Sequence, residues 1–266
     1  MLGNCLRPLV IVLAISSGAP ASDFTVGVSL LRQGSTFASV RALRRALASG
    51  DQAAHLPLAE AYFVLNQHRF FAEEIAQAKT ANPSDPEPYY VNGRYLFQTA
   101  GNFDAASQEF DQALSRDSKH VKARCYLGIA LQNMQRTEDA ETHLLKAVDL
   151  LKNGNSSFYL PYQTLASLYL QQDRADDAST AVEHAVKIVP NIPLNQFLLG
   201  KAKWAQKKAP EAIAALNKAI ALDEAFLEAH YLLARVLEAQ GDTAGAQLRL
   251  AQFKNLREIY GVGRRP

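Results

Sequence analysis

The chain is poor in the residues on which chemistry most often depends. Of its 266 residues two are cysteine, Cys5 and Cys125, two are methionine and one is tryptophan. Two cysteines make no disulfide framework, and no C-x-x-C spacing is present to seat a metal. The six histidines, His55, His68, His120, His143, His184 and His230, form neither an H-x-x-x-H nor an H-E-x-x-H pair. A metal site needs such convergence, so none is expected. There is no G-x-S-x-G elbow and no glycine loop fit to cradle a phosphate, so the chain reads as a non-enzyme with no cofactor and no small-molecule substrate. Charge of one sign is also missing. Lys and Arg number 28 against 26 Asp and Glu, a formal +2, which gives no global field to gather nucleic acid. The local run "RALRRAL" at 41–47 reads as the solvated face of a helix.

Long apolar runs are absent too. The one run of note lies in "MLGNCLRPLVIVLAISSGAPA", from Pro8 to about Ser17, and about 10 residues fall short of the roughly 20 that span a bilayer. It follows a single positive charge, Arg7, and precedes Ala19 and Ala21 in an A-x-A arrangement. Residues 1–21 therefore read as a secretory signal peptide, which predicts a periplasmic or secreted protein. Cys5 precedes the apolar run, so it is not placed as a lipid-anchor cysteine. Cys125 reads as a small apolar helix residue.

The rest of the chain is dominated by recurrence. "GNFDAASQEFDQAL" at 101–114 returns as "QRTEDAETHLLKAV", "DRADDASTAVEHAV", "KKAPEAIAALNKAI" and "GDTAGAQLRLAQF". Ala106, Ala140, Ala178, Ala212 and Ala246 fall in register with steps of 34, 38, 34 and 34. Seven residues on, Ala113, Ala147, Ala185, Ala219 and then Phe253 form a second series. Two helical turns separate the series, so both mark one face where a neighbouring helix comes close. Ahead of each returning segment lies another apolar-periodic one, such as "ARCYLGIALQNM" and "QFLLGKAKWAQ", in which Gly128, Ala166, Gly200 and Ala234 share one position. The acid pairs in "TEDAE" and "RADDA" open second helices, where carboxylates favour the positive helix end. Gly101 and Gly241 suit the turn between the helices.

These residues make the chain resemble the tetratricopeptide repeat family, whose unit of 34 residues is a pair of antiparallel helices. The family's small positions are matched by Gly128, Ala140 and Ala147 in one unit and by Gly200, Ala212 and Ala219 in another. Its bulky positions are matched by Tyr90, Tyr162, Phe110, Leu144 and Leu216, and its closing proline by Pro190. Arg94 departs from the pattern at a small position, Ser118 and Glu224 replace the closing proline, and Phe253 replaces the last alanine. The resemblance implies an all-α fold, a right-handed α-α superhelix or solenoid of helix-turn-helix units. Units are expected at 87–120, 121–154, 159–192, 193–226 and 227–260. Degenerate repeat-like helices fill 22–86 and a tail occupies 261–266. The 38-residue step reflects the polar "KNGNSS", whose Asn155 opens a sequon.

Function implied by the resemblance is protein or peptide binding on an inner surface lined by the first helices. Carried onto this chain, that surface includes Tyr95, Lys122, Asn133, Phe197, Lys201, Trp204, Tyr231 and Arg235. Val91, Cys125 and Gln163 stand where chaperone-binding members carry a lysine, so a chaperone-tail clamp is not expected. Aromatic and basic residues together suit a peptide with apolar anchors and some acid. Phe197 and Trp204 fit two readings, ligand contact or packing between units. The alternative function is a membrane-associated cell-envelope assembly factor or an accessory subunit of a larger enzyme complex. Ala209 is expected to be exposed.

Overall fold

The computed structural model describes residues 21–152 and 157–260. Residues 1–20 of the leader, with Cys5, the sequon at Asn155 and the tail 261–266 lie outside the described residues. Among those described there are fourteen α-helices, one 3-10 turn at Gln52–Ala54 and no strand. The helices fall into seven antiparallel pairs. They are α1 (Asp23–Arg32) with α2 (Thr36–Ala48), α3 (His55–Val64) with α4 (His68–Ala81), and α5 (Glu87–Thr99) with α6 (Phe103–Arg116). Then come α7 (Val121–Asn133) with α8 (Thr137–Lys152), α9 (Leu160–Gln171) with α10 (Ala175–Ile188), α11 (Pro193–Ala205) with α12 (Ala209–Leu222), and α13 (Leu227–Ala239) with α14 (Thr243–Tyr260). The chain divides into two compact units, one ending at Ala123 and one beginning at Arg124, within α7.

A repeated turn joins the helices of each pair. Its left-handed residue is Gly34, Asn66, Gly101, Gln135, Asp173, Lys207 or Gly241, with φ between 55° and 84°. In six of the seven turns the next N–H reaches back five residues to close the first helix: Ser35 to the Leu30 carbonyl, Gln67 to Tyr62, Arg136 to Leu131, Arg174 to Tyr169, Lys208 to Lys203 and Asp242 to Leu237. That bond satisfies a carbonyl that the helix end would otherwise leave unpaired. Gly101 and Gly241 were legible from sequence; Asn66 and Asp173 are residue types that tolerate this conformation, whereas Gln135 and Lys207 carry no such signal.

The turn brings a small residue of the first helix against a bulky one of the second. A Cβ on Gly128 would sit 2.7 Å from Leu144 Cγ and 3.2 Å from the Ala140 carbonyl oxygen, and one on Gly200 would sit 2.6 Å from Leu216 Cγ. Leu144 and Leu216 are wholly buried, as are Ala140, Ala147, Ala178, Ala185, Ala212 and Ala219. Both alanine series are therefore close-contact faces.

The first unit continues the scheme with altered spacing. Gly27 lies against Leu43, and the Ser39 hydroxyl donates to the Gly27 carbonyl at 2.8 Å. Ala46 and Ala78, both buried, extend the second alanine series upstream with steps of 32 and 35 to Ala113. In the α5–α6 pair the residue against Phe110 is Gly93, not Arg94, with the added Cβ 2.6 Å from the ring. The departure expected at Arg94 is thus corrected: the α5–α6 turn holds one more residue, its closing bond running six residues from Asn102 N–H to the Leu96 carbonyl. Everything on α5 is displaced by one position. Ala209 is also corrected. It is buried at the first turn of α12, packed with Leu216, Ala229 and Leu233 in the core of the last two pairs.

Two outcomes follow from this packing. Ala140→Leu should destabilise the protein by about 1–3 kcal/mol through overpacking, while Ala251→Leu on the exposed side of α14 should change the denaturation midpoint little; equal effects would refute the register. Lys207→Gly, at a left-handed φ of 63°, should raise stability by up to about 1 kcal/mol, since a side chain there costs about 1–2 kcal/mol and glycine's entropy returns part of it.

Candidate functional site

The close approach fixes how each first helix is rotated. The residue after the small one is thereby turned off the paired helix: Ile129, Ser167, Lys201 and Arg235 in the second unit, Val28, Glu60 and Arg94 in the first. None of the seven is fully buried. The seven share a place in the repeat and no chemistry, as expected where packing sets no demand.

In the second unit, α11 and α13 are neighbours. Lys201 and Arg235 are exposed and make no hydrogen bond or ion pair among the described residues. Tyr231 is 45% exposed, its ring held 5.4 Å from that of Phe253. This gives Phe253 a role where the repeat pattern has alanine. Phe197 and Trp204 are half-buried, packed on the core formed by Leu216, Leu233 and Val236, and Phe197 meets Phe226 at 5.1 Å. Lys203, two residues from Lys201, is spent on Glu183 at 2.7 Å and Glu211 at 3.2 Å, and the hydrogen bond it donates to Glu183 holds its ammonium above the usual lysine range. On α7, Asn133 is exposed, but its Nδ2 donates to the Ile129 carbonyl at 2.8 Å. The Cys125 thiol is fully buried, and that burial pushes its pKa well up, leaving an inert thiol.

Tyr95 and Lys122 belong to the first unit. The one-residue shift of α5 carries the Tyr95 ring into a cluster, stacked on Phe71 at 4.0 Å and edge-on to Phe63 at 5.6 Å. Lys122 is half-buried, and burial, followed by the repulsion of Arg94, lowers its pKa, while Glu87 and Glu60 raise it. Here the structure shows a residue that sequence reasoning missed. Glu60, which follows Ala59 on α3, faces a cavity of about 420 Å³ between α1, α3 and the start of α5. Burial pushes its carboxyl up to about 7, against the pull of Arg94, Lys122 and Arg32 and with a further push from Glu87. The signal that could have found it was the buried pair Ala59 and Ala61 flanking an acid inside an apolar run, obscured by the 32-residue step. Among the described residues no group of three or more His, Cys, Asp or Glu side chains is placed to hold a metal, and no helix is long and apolar enough to cross a membrane.

The tetratricopeptide repeat model matches residues 95–155, 164–224 and 197–252, more than half of the chain. The chain belongs to the tetratricopeptide repeat family. Its fold class is the all-α solenoid of that family. Solved structures similar to it include pilF of Pseudomonas aeruginosa, at 18% identity over 80% of this chain and 93% of that one with a TM-score of 0.69. The Cut9–Hcn1 hetero-tetramer of the APC/C matches at 19% over 81% and 42%, with a TM-score of 0.72. YrrB, described as a tetratricopeptide repeat protein with an unusual peptide-binding site, matches at 17% over 69% and 92%, with a TM-score of 0.58. At these identities the likeness is one of fold. Tetratricopeptide repeat proteins are typically non-catalytic scaffolds for protein interaction.

The Glu60 carboxyl generates a pH-dependent outcome. Its folded-state pKa near 7 exceeds the ordinary 4.5, so the folded chain binds the extra proton between these values and stability falls as pH rises from about 4.5 to 7. Glu60→Gln removes this loss. The variant should gain about 1–3 kcal/mol over the wild type at pH 8 and little at pH 4.5, read by urea denaturation at both values; a gain that does not change with pH would refute the assignment.

Proposed function

We propose that this chain is an exported, non-catalytic scaffold that holds a protein or peptide partner on the first-helix face of α11 and α13. One observation carries the reading: on the neighbouring helices α11 and α13, Lys201, Arg235 and Tyr231 are exposed, the two cations are unpaired, and Phe197 and Trp204 are half-buried against the core. Aromatic and arginine side chains dominate binding energy where a partner can desolvate them. Two free cations favour a partner segment with acidic residues beside apolar anchors, and such charges govern the association rate and its salt dependence. Asn133, on α7 of the same unit, is a weaker candidate because its amide already donates to its own helix. The peptide-binding site described for YrrB shows that a chain of this fold can serve this purpose. Export rests on the leader at 1–21, and fractionation of tagged protein with and without those residues tests it.

Phe197 and Trp204 are half-committed to the core, so replacing them would confuse binding with stability. The clean variant is Tyr231→Ala with Lys201→Glu and Arg235→Glu. It should reduce crosslinked capture of the native partner by at least about tenfold, the equivalent of 1.4 kcal/mol, with helical content and melting temperature unchanged. Undiminished capture by a folded variant would refute the reading.

A further inference from the structure

The cavity beside Glu60 is built differently from the face of the second unit. Its walls are mostly apolar: Phe24 and Leu31 from α1, Leu56 and Pro57 from α3, Ala81 from α4 and Pro88 from α5. At about 420 Å³ it lies at the small end of ligand sites, which run from roughly 300 to 1,000 Å³.

The polar groups on its lining are already occupied, with one exception. Gln52 Oε1 meets His55 Nε2 at 3.2 Å, Asn82 Oδ1 accepts from Ser84 Oγ at 2.9 Å, and Asp85 Oδ1 accepts from the Glu87 N–H at 3.0 Å. Glu87 Oε1 meets His120 Nε2 at 3.1 Å, and Arg32 is engaged as well. Glu60 alone makes no hydrogen bond or ion pair among the described residues, although it lines the cavity. Glu60 is part-buried among apolar walls, and a carboxylate so placed gains from a donor, best a cationic one. The lining carries the acids Glu60, Asp85 and Glu87 against one base, Arg32. Arg94 and Lys122 act on Glu60 as well, from beyond the lining.

We propose that this cavity is a subsite for a lysine or arginine side chain of the protein partner, its apolar stem lying on Phe24, Leu31 and Leu56 and its cationic head meeting Glu60. Long basic side chains combine an apolar stem with a charged tip, the two features the cavity presents. The inference rests on the reading that the chain holds a protein partner, and it adds a second contact of opposite charge preference to that of Lys201 and Arg235. The titration of Glu60 supports it. A bound cation stabilises the ionised form against burial, so affinity should rise between pH 6 and pH 8 in the field of Arg32, Asp85, Glu87, Arg94 and Lys122.

The experiment uses the full chain, isotopically labelled for NMR, and three capped pentapeptides, Ala-Ala-X-Ala-Ala, with X lysine, norleucine or glutamate. The lysine peptide should shift the methyl resonances of Leu31 and Leu56 and move the Glu60 carboxyl titration to lower pH. Glu60→Gln, which keeps the size of the side chain, should weaken that peptide by about tenfold, as loss of a charge-assisted hydrogen bond does. Norleucine or glutamate binding as well as lysine would overturn the proposal, and so would a lysine response unchanged in Glu60→Gln or no response to any peptide. The two readings fail separately. If partner capture depends on Tyr231 and Arg235 while lysine leaves the Leu56 methyls unmoved, this inference falls and the face on α11 and α13 stands; the converse result supports the lysine subsite and sinks that face.

Discussion

Each glycine-bearing pair turns on one close approach, in which a first-helix residue without a side chain lets a leucine or phenylalanine of the second helix lie across its backbone. The glycines at 27, 93, 128 and 200 leave no room for a Cβ beside Leu43, Phe110, Leu144 and Leu216. Ala59, Ala166 and Ala234 hold the same place in the other pairs and are buried. This contact sets both the separation of the helices and the rotation of the first about its own axis. A left-handed residue at every turn makes it reachable, at a cost of about 1–2 kcal/mol for an ordinary side chain and less for Asn or Asp. The packing must therefore outweigh the turn at Asn66, Gln135, Asp173 and Lys207.

This constraint explains why the last five pairs could be placed in register from the sequence and the first two were legible only as degenerate repeat-like helices. From Ala106 onward the small residues recur at steps fixed by a constant turn, interrupted once where α8 runs on to Lys152. Upstream the same contacts are kept at steps of 32 and 35, with Ser39 and Phe71 where alanine stands elsewhere. Periodicity detects constant spacing, whereas packing requires only that the small residue meet the bulky one. The α5 helix shows the difference most sharply. One extra turn residue moved the contact from the expected Arg94 to Gly93, and with it drew Tyr95 onto Phe71.

The candidate site was legible in part for the same reason. In the second unit constant spacing carried Lys201, Trp204, Tyr231 and Arg235 to their faces, and there the sequence marked residues that the structure groups on adjacent helices. It gave no means of separating the exposed Tyr231 from the half-buried Trp204, because that depends on how far the core of α12 and α13 reaches beneath each ring. In the first unit the register itself was hidden, and Glu60 with it.

Glu60 also shows what a repeat scaffold tolerates. A carboxyl held near pH 7 by burial reduces stability at neutral pH, in a protein class whose net stability is commonly only about 5–15 kcal/mol. Within a single compact core such a group would loosen packing on every side. In a repeat stack each unit rests chiefly on its neighbours, so the cost stays local. The residue after the small one is moreover the place where packing asks least of the side chain. The chain can therefore keep an acid at Glu60, a hydroxyl at Ser167 and bases at Lys201 and Arg235, none of them fully buried. Conserved geometry with free chemistry at one repeated position is what lets this fold acquire recognition sites one residue at a time.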